Sequence, residues 1–207
     1  MRTFMQPART TAAAAALAVA ALSVWGGTAV GATTSSDGRS KSPSTAQKVR
    51  NALSAAPPAV ARKAAVMDWA ETEGAPMPVL RKGTNGWTCM PNDPMTPTND
   101  PQCMNANGMA WMDAWMAHSA PKLTGAGLSY VLQGCTVASN TDPFAMAPPK
   151  GRRWIETGPH VMVFSPERLD RKVYGTDPTS GMPYIRWAGT PYEHLVVPVP
   201  AGGRPHA

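Results

Sequence analysis

The 207-residue sequence is short of charge. Only 15% of its residues are Asp, Glu, Lys or Arg, against about 25% in ordinary globular chains, so surface ion-pair networks cannot hold it together. Histidine occurs four times, phenylalanine three times and cysteine three times. No Cys-x-x-Cys, His-Glu-x-x-His, phosphate-cradling glycine loop or Gly-x-Ser-x-Gly elbow is present, so the common zinc, nucleotide and serine-hydrolase signatures are missing. Beyond residue 30 there is no apolar run near the ~20 residues of a membrane span. Pro (22) and Gly (18) are plentiful, yet below the level of a low-complexity chain. Collagen, coiled coil and multi-span membrane architectures are excluded.

The N-terminus reads as an export signal. Arg2 and Arg9 precede an apolar stretch from Ala12 to Trp25, and no acidic residue occurs before Asp37. Gly26 to Ala32 is built of small residues, with Val30 and Ala32 placed for a signal peptidase. The expectation is a Sec-type signal peptide over residues 1–32, a periplasmic or secreted bacterial protein, and no membrane span after cleavage. Neither a lipidated cysteine nor an Arg-Arg pair lies in this stretch.

Removing that segment relocates the positive charge. Residues 33–63 carry six Lys/Arg against Asp37, whereas residues 64–207 carry eleven Lys/Arg and twelve Asp/Glu. The basic character belongs to a short arm and the body is near neutral, which argues against nucleic-acid binding. The partner expected instead is a small molecule or a cell-envelope component.

Residues 33–58 read as a flexible basic linker. A short, marginal helix is expected after Ser44, where Gln47 completes a capping box and Pro57-Pro58 ends the run. Residues 59–207 read as a single α+β domain: a mainly antiparallel sheet of about six short strands with one buried helix, rich in loops. The strand candidates are Ala65–Trp69, Met77–Lys82, Trp87–Met90, Leu128–Gln133, His160–Phe164, Tyr184–Trp187 and Leu195–Val199. Prolines at 91, 94, 97 and 101 predict irregular chain from Met90 to Cys103. The helix is Asn105–Ser119, where Met109, Met112 and Met116 lie beside Trp111, Trp115 and His118.

In an exported protein an oxidised cysteine pair is the default. Cys89 and Cys103 bracket the proline-rich loop at 14 positions, and closing a loop of that length is worth ~3 kcal/mol in the chain-entropy view. Cys135 is left as a buried thiol behaving as a small hydrophobe. The Asp-Pro pairs at 93, 100, 142 and 177 are turn initiators, with Ca²⁺ ligation by Asn92, Asp93, Asn99 and Asp100 as the sharper alternative. The three helix methionines invite Cu(I), although Met beside Trp is also how a core face is written.

His160 and His194 each follow a Gly/Pro turn and open an apolar strand. With Asp142 or Glu193 they are candidates for holding Zn²⁺ or for acid–base work, the basis of an alternative function as a metal-assisted hydrolase. The other reading leaves both satisfied by backbone carbonyls. No cofactor is otherwise expected. A non-catalytic binding domain would instead present Trp87, Trp154, Tyr184, Trp187 and Tyr192, rigid aromatics that give contact area at low entropy cost.

The segments Gly83–Cys89, Ser139–Phe144, Gly158–His160 and Gly189–His194 together resemble an uncharacterised family of exported bacterial proteins. The resemblance covers roughly residues 60–200. It implies a self-contained exported domain and carries no activity.

Overall fold

The computed structural model describes residues 42–72 and 74–200. The expected signal peptide, the arm up to residue 41 and the tail holding His206 lie outside the described residues.

Among the described residues ten short strands and three helices alternate. The helices are α1 (Thr45–Leu53), α2 (Pro58–Ala61) and α3 (Ala106–Met116). The strands are β1 (Ala65–Met67), β2 (Val79–Arg81), β3 (Thr88–Met90), β4 (Gln102–Met104), β5 (Gly127–Val131), β6 (Cys135–Val137), β7 (Ile155–Thr157), β8 (His160–Phe164), β9 (Tyr184–Arg186) and β10 (His194–Pro198). Eight form one sheet in the order β2-β1-β3-β4-β5-β8-β10-β9, and β6 and β7 form a separate ribbon. All pairs are antiparallel except β1 with β3. The α+β class and the antiparallel character are as expected; the sheet is larger, and α2 joins the buried helix and the short helix after Ser44 that were expected. Helix α3 buries Gly108, Trp111 and Met112 but leaves Ala106 and Asp113 exposed, so it covers the sheet on one side only.

Three strands escaped the sequence reading. Strand β4 overlaps the end of the span expected to be irregular, because the residues after Pro101 regain backbone donors and pair with both β3 and β5. Cys89 stands opposite Cys103 in that ladder, and the two form the expected disulfide, with Cys135 unpaired.

Helix α1 belongs to the body rather than to a linker. Ser44 and Gln47 make the reciprocal capping box, and Ala52, Ala55 and Ala56 pack with Val66, Cys89 and Cys103 against one face of the sheet. Lys48 pairs with Asp68 at 2.6 Å, and the Leu132 amide donates to Ala55 O. The small alanine face allows this close approach.

Alternation within the strands sends Met90, Met104, Ser129, Met162 and Phe164 to the opposite face, where α3 lies. An aromatic column runs across it. Phe164 stacks on Trp111 at 4.3 Å, Trp111 on Trp187 at 5.9 Å, Trp187 on Trp115 at 6.2 Å, Trp115 on Phe144 at 6.4 Å, and Phe144 on His118 at 4.0 Å. The indole N–H of Trp115 donates to Pro143 O and that of Trp187 to Ser139 O. These bonds pin the Ser139–Phe144 loop to the column. The methionines of α3 sit among these rings as core filler.

Candidate functional site

Two places on the α3 face concentrate chemistry. The first is built by a corner in the chain. Strands β5 and β8 pair from Gly127↔Phe164 to Val131↔His160, and their continuations pair again as β6 and β7 from Cys135↔Thr157. Between the two ladders one strand carries three residues (132–134) and the other carries two (158 and 159). That one-residue excess bends the ribbon as a bulge does. Gly134 makes the bend possible: its φ is +81°, and a Cβ there would lie 2.7 Å from Thr157 O. The fold brings Cys135 back over His160.

Cys135 Sγ lies 3.8 Å from His160 Nε2 and 3.6 Å from Arg186 Nη1, which donates to it. His160 Nδ1 is 2.7 Å from Gly158 O; a carbonyl only accepts, so Nδ1 carries a hydrogen and Nε2 turns to the sulfur. Arg186 Nη2 donates to Thr157 Oγ1 at 2.7 Å and to the Tyr184 hydroxyl at 2.6 Å, while its Nε has no partner among the described residues.

Arg186 is 1% exposed, and no described carboxylate lies within ion-pair distance of it; the ion pairs of the described residues are Lys48–Asp68 and Arg168–Glu193. A buried guanidinium needs a counter-charge, and the acids touching this one are the Cys135 thiol and the Tyr184 phenol. Burial works to raise the Cys135 pKa, but the Arg186 charge and the hydrogen bond and charge of His160 outweigh it and bring the thiol down to about 7. Burial likewise opposes the charge on Arg186, yet Cys135 and Tyr184 hold its pKa above the ordinary range.

The second place is a cavity of about 180 Å³ lined by Trp111, Leu123, Arg168, Pro191 and Glu193, among others. Trp111 is 4% exposed and its indole N–H has no partner among the described residues. Glu193 is fully employed: it accepts from the amides of Leu169 and Gly189 and pairs with Arg168 Nε at 3.1 Å. It fixes the wall of the cavity.

The residues singled out in the sequence fall as follows. His160 and His194 lie on the same face of neighbouring antiparallel strands, but His160 stands opposite Pro198 and His194 opposite Phe164 by ladder register. Four residues along a strand are about 13 Å, so the expected shared pocket does not form and the two imidazoles do not meet at one ion. His194 donates from Nδ1 to Tyr192 O at 3.0 Å and is edge-on to Trp111 and Trp187 at 5.2 Å each. Asp142 is exposed and accepts from the Phe144 amide at 2.9 Å, a turn contact. Asp93 and Asp100 also work within their loop: Asp93 accepts from the Met95 amide, and Asp100 accepts from the Asp93 amide and the Thr96 hydroxyl. Among the described residues no group of three or more His, Cys, Asp or Glu is placed to hold a metal.

Of the five aromatics expected on a binding surface, Tyr184, Trp187 and Tyr192 are core residues. Trp87 and Trp154 are half-buried, with Trp87 tilted on Tyr130 at 5.4 Å. The sequence reading missed Arg186. A charged residue between Ile185 and Trp187 in an apolar strand was the available signal.

No family model, curated protein or solved structure matches this chain. Among the described residues no helix is long and apolar enough to cross a membrane, and the Cys89–Cys103 disulfide fits an oxidising compartment.

Proposed function

We propose that this is an exported bacterial domain that binds a compact, acceptor-bearing molecule of the cell envelope in the Trp111 cavity. The unsatisfied indole N–H carries this reading: a buried donor left without an acceptor costs about 1–3 kcal/mol, and a ligand carbonyl or acetamide oxygen would repay it. Leu123 and Pro191 supply the apolar wall that such pockets combine with a few fixed polar groups. Arg168, 62% exposed at its side chain, stands at the rim. The binding function expected from the sequence is retained, on different residues: the cavity replaces the surface of Trp87, Trp154, Tyr184, Trp187 and Tyr192.

The probe is N-acetylglucosamine at millimolar concentration, followed by the Trp111 indole N–H resonance. A saturable shift of that resonance, absent in Trp111→Phe, supports the reading. A resonance unmoved at tens of millimolar sinks it. Export is tested separately by N-terminal sequencing of the protein recovered outside the cytoplasm. A start near Thr33 supports a cleaved signal; the intact N-terminus overturns it. The alternative of a metal-assisted hydrolase on His160 and His194 has no observation in its favour.

A further inference from the structure

We infer that Cys135 is a peroxide-reactive thiolate, its charge balanced by buried Arg186 and its proton taken by His160 Nε2. The argument rests on geometry and charge. Two groups from two strands converge on a sulfur carried by a third: His160 from β8 and Arg186 from β9 meet Cys135 Sγ of β6. Among the described residues no carboxylate pairs with buried Arg186, so its charge favours an anion beside it, and the thiol is the more acidic of its two acidic contacts. Cys135 is half-buried as a residue and packs against the core cluster, which leaves a small reagent better placed to reach its enclosed sulfur than a polypeptide.

The chemistry balances with a small hydroperoxide as oxidant. The thiolate attacks the terminal peroxide oxygen; the S–O bond forms and the O–O bond breaks. The sulfur is oxidised by two electrons to the sulfenic acid, and the peroxide is reduced to an alcohol, or to water from hydrogen peroxide. The departing oxygen carries the electron pair and takes a proton from solvent. Arg186 stands where negative charge passes from sulfur to oxygen, as a fixed donor that stays protonated throughout. A small-molecule thiol then displaces water from the sulfenic acid to give a mixed disulfide, and a second thiol releases Cys135. Arg186 and His160 both touch the reacting sulfur, His160 as its proton acceptor.

The groups facing the sulfur define its pH response. They are His160 on β8, Arg186 on β9 and Thr157 on β7; Tyr184 on β9 adds its hydroxyl to the guanidinium. His194 on β10 adds no positive charge, since burial holds it neutral with a pKa of about 3. Glu156 is exposed and shares the register position of Thr136, so it lies on the other face of the ribbon.

The experiment uses the folded chain with its disulfide intact. Alkylation by iodoacetamide is followed against pH, and the sulfenic acid formed with hydrogen peroxide is trapped by dimedone and located by mass spectrometry. The expected result is an alkylation midpoint near pH 7 and a dimedone adduct on Cys135, absent in Cys135→Ser. His160→Asn should move the midpoint up by a pH unit or more while the circular dichroism spectrum is unchanged. Tyr184→Phe, a smaller change that serves should His160→Asn fail to fold, should move it down, because the guanidinium then has one acceptor fewer besides sulfur. A wild-type midpoint at 8.5 or above, the range of an ordinary thiol, overturns the thiolate. A midpoint near 7 without any adduct overturns the peroxide chemistry.

Discussion

His194 stands directly opposite Arg186 across the β10–β9 ladder, and both side chains are 1% exposed. Burial first, then the Arg186 charge and that of His160, hold its pKa down at about 3 against the helping carbonyl of Tyr192. An unfolded histidine titrates near 6.5. Between those values the unfolded chain binds the extra proton, so stability is full above about 6.5 and falls as pH falls toward 3. The expected slope from this group is about 1.4 kcal/mol per pH unit. Urea unfolding at pH 4.5, 5.5 and 6.5 measures it, above the range where carboxylates dominate. His194→Leu should flatten the slope, and an unchanged slope in that variant would assign the acid sensitivity elsewhere.

Cys135 acts in the same direction at higher pH. Against burial, the Arg186 charge and His160 bring its thiol down to about 7 in the folded chain, compared with 9.0 for an ordinary thiol. Its contribution is complete above about 9 and is lost as pH falls through 7. Stability of the wild-type chain should therefore rise from pH 7 to 9, and Cys135→Ser should lack that rise. Equal curves for the two proteins would show that the thiol ionises no more readily folded than unfolded.

Removing the disulfide should be costly, because Cys89 and Cys103 are both fully buried and join paired strands of the sheet. The double change to Ser is expected to lower stability by about 2–5 kcal/mol, since two hydroxyls would also replace buried sulfur. Denaturant titration measures the loss. A change below 1 kcal/mol would mean that the ladder around the proline-rich loop holds without the link.

Gly127 is expected to tolerate no side chain. A Cβ there would lie 2.9 Å from Gly108 N and 3.0 Å from Phe164 Cβ, where α3 crosses the start of β5. Neither helix backbone nor the stacked Phe164 has room to yield. Gly127→Ala should cost about 1–3 kcal/mol, read from the urea midpoint. A neutral result would mean that α3 can slide on the sheet.

The parts of the fold that could be read from sequence are those with local causes. Ser44 and Gln47 announce α1 through a capping box, alternation announces β5, and the continuous apolar run announces β8. The export reading and the bracketing of the proline-rich loop suggested the pairing of Cys89 with Cys103. What escaped depends on partners distant in the chain. Strand β4 has three residues beside four nearby prolines, and β6 and β7 are continuations around a corner that no periodicity records. The docking of α1 rests on Ala52, Ala55 and Ala56, whose contribution is close approach rather than hydrophobic bulk. Gly/Pro turns before His160 and His194 suggested a shared location, but sequence does not contain strand direction. Antiparallel neighbours with residues at matching starts separate them. For the same reason Cys135 read as a core thiol: its partners are 25 and 51 residues away.

The aromatic column makes the molecule report on itself optically. Trp111, Trp187 and Trp115 lie with interplanar angles of 5° and 9° between neighbours. Indole transitions held in such a fixed stack couple to one another, so their near-ultraviolet circular dichroism belongs to the arrangement and not to any single ring. The three chromophores come from α3 and from the segment just after β9, and a fourth ring, Phe144, comes from the loop between β6 and β7. Loss of the coupled signal therefore marks the separation of helix, sheet and loop, even where the backbone signal of each persists.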